Sequence, residues 1–225
     1  MRALQVNLDS KQILILDALR YSLLAERQAY GRLTRSLRAV ERSTKPRPSE
    51  HHALSALGSA WQVIDMTYRA RDLISQISGL SQRTPECQVF VRETAVIEDF
   101  RHFFQHMNSS ISKLTKASDP IMGVLMWASG DRKTSYTMSV GHWTKGMEST
   151  SIALDTQTWE FVPRIQLSAA AMEVDLNRIN ERSRQVSKFV EKWLTSRSLL
   201  QRAMTGASLF KFGLAVPAVP NTRLS

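Results

Sequence analysis

From Asp9 to Arg42 an apolar residue returns at helical spacing, as Ile13, Leu16, Leu19, Leu23, Tyr30, Leu33, Leu37 and Val40. That spacing predicts one long helix, with Asp9 or Ser10 as its cap. STKPRPSEHH ends it, because each proline removes a backbone donor and pushes the preceding residue out of helical geometry. A second helix is expected from about Ser49 to Ile77, carrying Leu54, Leu57, Trp61, Ile64, Tyr68, Leu73 and Ile77. GLSQRTPE makes a loop, and Pro85 sits near the first turn of a third helix, expected from about Glu86 to Lys116.

After Pro120 the period changes. IMGVLMWAS, TSYTMSV, TSIALDT and TWEFVPR are short, rich in β-branched and aromatic residues, and divided by GDRK, GHWTKG and a DTQT turn. Tyr136, Met138 and Val140 alternate with polar residues, as in a half-buried strand. The helical period returns from about Ser168 to Ala203 with Met172, Leu176, Ile179, Val186, Phe189, Val190, Trp193 and Leu194. The pattern therefore predicts a mainly α protein: a four-helix bundle with a small antiparallel β insertion between helices three and four. Residues 1–205 form its single domain, the insertion occupies about 119–164, and the Gly, Ala and Pro rich segment 206–225 is a flexible or partner-docking tail.

A length of 225 residues, 43% of them hydrophobic, is enough to bury a core of this kind. The net charge of +10 comes mainly from arginine, which binds phosphates through two donors at once, so a polyanion, nucleic acid above all, is the favoured partner. Arg27, Arg35, Arg38 and Arg42 stand opposite the apolar stripe of the first helix, either as a solvated basic face or as a stripe that tracks nucleic-acid phosphates. Cys87 is the sole cysteine, which excludes an internal disulfide and a cysteine-based zinc site. The opening MRALQVNLDSKQ lacks the apolar stretch of a secretion signal, so a cytoplasmic protein without a membrane anchor is expected.

EDFRHFFQHMNSS, at 98–110, concentrates polar chemistry on the third helix. On a helical wheel Ile97, Phe100, Phe103, Phe104, Met107, Ile111 and Leu114 share one arc, as a core-facing stripe should. Glu98, Asp99, Arg101, His102, Gln105 and His106 fill the other. Arg101 and His106 fall roughly 140° apart in azimuth and about 7.5 Å apart along the axis, flanking the centre of the polar face. Spacing alone does not distinguish them, since Arg47 and His52 repeat it across a loop and a helix start, where they share no face.

On the third helix of a helical bundle, Arg101, His102, three further residues and then His106 resemble the HEPN superfamily, whose motif is Arg, a polar residue, three variable residues and His. The β insertion is an addition to that family's minimal fold. The resemblance implies a metal-independent endoribonuclease that acts as a homodimer, with two copies of helix three building one composite site. His106 would act as general acid or base, a role suited to imidazole near neutral pH. Arg101 would clamp the scissile phosphate, and His102 would orient Arg101 or the phosphate. The ribose hydroxyl would be the nucleophile, with a cyclic phosphate product and no cofactor. A toxin or antiviral defence effector, restrained by an inhibitory partner protein, fits that class. The alternative is a non-catalytic HEPN-like bundle that binds RNA or protein.

No HExxH motif or Gly-rich phosphate loop is present. His102 and His106 have a spacing that suits zinc, with Asp99 the nearest third ligand, yet no metal site is expected. Glu98 and Asp99 would tune the histidines or stand solvated. Trp127, His142, Trp143 and Lys145 would offer an edge for stacking RNA bases, or simply cover the sheet.

Overall fold

The computed structural model describes residues 9–43, 49–77, 80, 84–106, 120, 122–140, 152–170 and 172–195. The chain is mainly helical with a small antiparallel sheet. Helix α1 (Ser10–Glu41) begins at Asp9, whose carboxylate accepts from the Gln12 amide at 2.8 Å. Helix α2 (Glu50–Gln76) begins at Ser49, whose hydroxyl accepts from the His52 amide. These two helices make the most extensive contact between elements. Leu33 and Leu37 share a core with Ala53 and Leu57, and Leu16 and Leu19 share another with Ala70 and Ile74, so the pair runs antiparallel.

The third long helix is divided. Helix α3 (Pro85–Glu93) and helix α4 (Ile97–Gln105) replace the expected continuous run, and residues 107–116 lie outside the described residues. The break follows from Arg71, buried on α2, which donates to the Val91 carbonyl and, at 2.8 Å, to the Thr94 hydroxyl. With the Val91 carbonyl engaged, the Ala95 amide turns to the Arg92 carbonyl, and the Thr94 hydroxyl donates back to the Phe90 carbonyl at 2.6 Å. Arg71 also pairs with Glu98, fixing the start of α4 against α2.

Strands β1 (Val124–Ala128), β2 (Ser135–Ser139), β5 (Ile165–Ala169) and β6 (Met172–Asp175) form one antiparallel sheet in the order β2-β1-β5-β6. Strands β3 (Leu154–Asp155) and β4 (Glu160–Phe161) form a separate small hairpin. The strand region thus runs beyond 164 to Asp175, and the last helix, α5 (Leu176–Thr195), starts later than the pattern predicts. Met172 accordingly belongs to a strand. Pairing of Gln166–Ala169 with Met172–Asp175 holds this segment extended, and the Asp175 carboxylate then accepts from the Asn177 and Arg178 amides to open α5. Between β5 and β6 the chain turns through Ala170 at φ 50°, a turn without the usual glycine.

One core joins the C-terminal half of α1, the N-terminal half of α2, α4 and the sheet. A second joins the other halves of α1 and α2 to α3 and α5. Among the described residues no helix is long and apolar enough to cross a membrane.

Candidate functional site

Helix α4 is held by its apolar face, where Ile97, Phe100 and Phe103 are buried. Phe104, expected in the core, is 40% exposed. It lies at the edge of the stripe, where its ring stacks on Trp61 with centroids 4.6 Å apart. The indole nitrogen of Trp61 donates to the Met122 carbonyl at 2.9 Å, which ties this support to the segment entering the sheet.

The opposite face carries the motif. His102 and His106 are exposed, with ring centroids 4.6 Å apart. His106 lies at the end of α4, where its amide donates to the His102 carbonyl at 3.1 Å. Arg101 instead turns toward α2: its guanidinium lies 3.9 Å from the centre of the Tyr68 ring, and Nε stands 3.5 Å from Asp65 Oδ1. Asp65 also accepts from Arg69 Nε at 2.9 Å, so one carboxylate anchors two arginines. Tyr68, Glu98, Asp99, Arg101, His102 and Gln105 line an open cleft of about 330 Å³.

The geometry places Arg101 and His102 in one cleft and His106 beside its wall, against His102. The Arg101 side chain is 25% exposed, held between Asp65 and the face of Tyr68. Asp65 and Tyr68 are site residues that motif reading passes over. Their signal is Asp65-x2-Tyr68-Arg69, an acid, an aromatic and a base about one turn apart on α2. Glu98, through its pair with Arg71, serves the fold on one side of the cleft while Asp99 stands exposed.

Arg27, Arg35 and Arg38 on α1 and Arg42 at its C-terminal cap are all exposed. Arg27 and Arg35 line one shallow hollow with Gly31 and Arg32, whereas Arg38 and Arg42 lie outside it. Trp127 covers the sheet: it is 2% exposed, its indole donates to Glu41 at 3.0 Å, and it stacks on Tyr136. His142, Trp143 and Lys145 lie outside the described residues. Among the described residues no three His, Cys, Asp or Glu side chains are grouped to hold a metal ion, so His102 and His106 gain no third ligand there.

A further polar cluster was not visible as a motif. Glu26 of α1 is 1% exposed, and neither carboxylate oxygen has a hydrogen-bond partner. Burial pushes its carboxyl up to about 8, against the smaller opposing pull of Arg184 and Arg27. Its signal in sequence is an acid inside the Leu16, Leu19, Leu23, Leu33 stripe.

Comparison with known proteins finds no family model, no curated protein and no solved structure that matches the chain significantly.

Proposed function

We propose that the chain is a metal-independent endoribonuclease of HEPN type, its long helices forming a four-helix bundle and its α4 faces meeting in a homodimer. The observation that supports this reading is the polar side of α4, where His102 and His106 stand exposed with their rings in contact and Arg101 shares a cleft with His102. In this mechanism the Arg101 guanidinium binds the scissile phosphate and neutralises charge on its oxygens as the bond breaks. His106 exchanges protons with the ribose hydroxyl and the leaving oxygen, and His102 orients Arg101 or the phosphate. The ribose hydroxyl attacks the phosphorus, its proton passes to a histidine, the leaving oxygen gains a proton, and a cyclic phosphate remains. A toxin or defence effector held in check by a partner protein is the biological setting for such an activity.

One observation favours a second reading, a non-catalytic bundle that binds RNA or protein: Arg101 is already engaged by Asp65 and Tyr68. Cleavage of single-stranded RNA by wild type, Arg101→Ala and His106→Ala separates the two. We expect each substitution to abolish cleavage and relieve growth inhibition, with circular dichroism unchanged and EDTA without effect. Full activity in His106→Ala would sink the catalytic assignment, and inhibition by EDTA would point to a metal-assisted route. Sedimentation of the full chain tests the dimer.

A further inference from the structure

Glu26 is an anomaly that the proposed reaction does not use. A carboxyl group only 1% exposed, with both oxygens unpaired, is costly unless it is neutral or has work to do. It sits at the floor of a cleft of about 250 Å³ between α1 and α5. Ser183 of α5, 2% exposed and with its hydroxyl likewise unpaired, lines the same cleft. Around them stand Arg20 and Arg27 from α1 and Arg184 and Lys188 from α5. None of these four cations forms a salt bridge with a described residue. Glu191 is the one acidic residue on the rim.

This donor set is one-sided. Four cations offer only N–H donors, Ser183 offers a hydroxyl, and an unionised Glu26 offers an O–H where an ionised one would repel an anion. The groups acting electrostatically on Glu26 favour the match: Arg27 lies on its own helix, Arg184 on the helix opposite, and the neighbouring Tyr30 hydroxyl is itself pushed up, first by burial. Such a set suits a compact anion with several acceptor oxygens, and the three arginines supply the forked donors that phosphate geometry favours.

We propose that the cleft between α1 and α5 is a phosphate-binding site, with Arg20, Arg27, Arg184 and Lys188 holding the anion over a floor of Glu26 and Ser183. The phosphate belongs either to a free phosphate compound or to the backbone of an RNA strand. Arg27 also lines the neighbouring hollow with Arg35, so a strand seated here would continue onto the basic face of α1. The site lies apart from the α4 cleft, and the two share no lining residue. Its failure and that of the ribonuclease reading are therefore independent.

The test uses the full chain. Calorimetric titration with inorganic phosphate, at ionic strength matched with chloride, is compared for wild type, Arg27→Gln/Arg184→Gln and a control, Arg132→Glu/Lys133→Glu, on the exposed turn between β1 and β2. We expect a tenfold or greater loss of phosphate affinity in the double glutamine variant, and affinity within threefold of wild type in the control. Anisotropy of a labelled 12-nucleotide RNA then assigns the source. Displacement of the RNA by phosphate, lost in the double variant, assigns the site to an RNA backbone. Phosphate binding without any effect on RNA assigns it to a free phosphate compound. Absence of saturable phosphate and RNA binding at the cleft, wild-type affinity in the double variant, or an equal loss in the control would overturn the proposal.

Discussion

Replacing Glu26 by Gln should stabilise this protein, by an amount set by pH. The carboxamide has nearly the same shape and, like the protonated acid, leaves its polar atoms unpaired, so the two differ chiefly in ionisation. In the folded chain burial holds the carboxyl at about 8, against 4.5 for the free group. Folding therefore retains a proton that the unfolded chain releases between those two values. Stability from this group is fully present below pH 4.5, falls as pH rises, and is lost once pH passes about 8. Each pH unit across that window is worth about 1.4 kcal/mol, so the wild type gives up about 3 kcal/mol at pH 7 relative to its stability in acid. Above pH 9 the loss approaches about 5 kcal/mol. Urea denaturation at pH 5, 7 and 9 reads the difference directly. Glu26→Gln should exceed wild type by less than about 1 kcal/mol at pH 5 and by about 3 at pH 7, a rise in Tm of roughly 6–12 °C for a domain of this size. An advantage that stays constant from pH 5 to 9, or that shrinks as pH rises, would refute a neutral buried Glu26. A bound phosphate would hold the proton more firmly still, so the measurement belongs in phosphate-free buffer.

Two further predictions address the sheet and the basic face. Gly123 enters β1 at φ 81°, and a Cβ there would meet the Ser168 carbonyl at 2.6 Å, so Gly123→Ala should cost about 2 kcal/mol or more in urea denaturation, and a neutral result would mean that β5 can shift away. If Arg27 and Arg35 neutralise RNA phosphates, Arg27→Ala/Arg35→Ala should flatten the plot of log affinity against log salt by about 0.7 for each phosphate left without its arginine; an unchanged slope removes them from the RNA face.

The apolar period of Leu16 to Leu37 and of Leu57 to Ile77 carried enough information to place the first two helices, because a core stripe that long is costly to present to water in any other conformation. Capping chemistry at Asp9 marked the start of the first, and in the structure Ser49 caps the second. The same logic could have found the start of α5, since Asp175 caps it and Ile165, Leu167, Ala169, Met172 and Val174 alternate. An apolar run of that kind satisfies a strand and a helix about equally, and pairing with β1 decided it.

What the sequence determined by itself is local: helix and strand period, caps, the apolar and polar faces of α4, and the excess of arginine. Each depends only on residues a few positions apart. The tertiary structure decided what depends on distant partners. Arg71 broke the third helix by taking the Val91 carbonyl, 20 residues away in the chain. Asp65 and Tyr68 turned Arg101 from a surface charge into an oriented one. The packing of α5 on α1 buried Glu26, and a carboxyl's state depends on the medium around it. That medium is supplied by a helix about 150 residues further along the chain, which no window on the sequence around Glu26 contains.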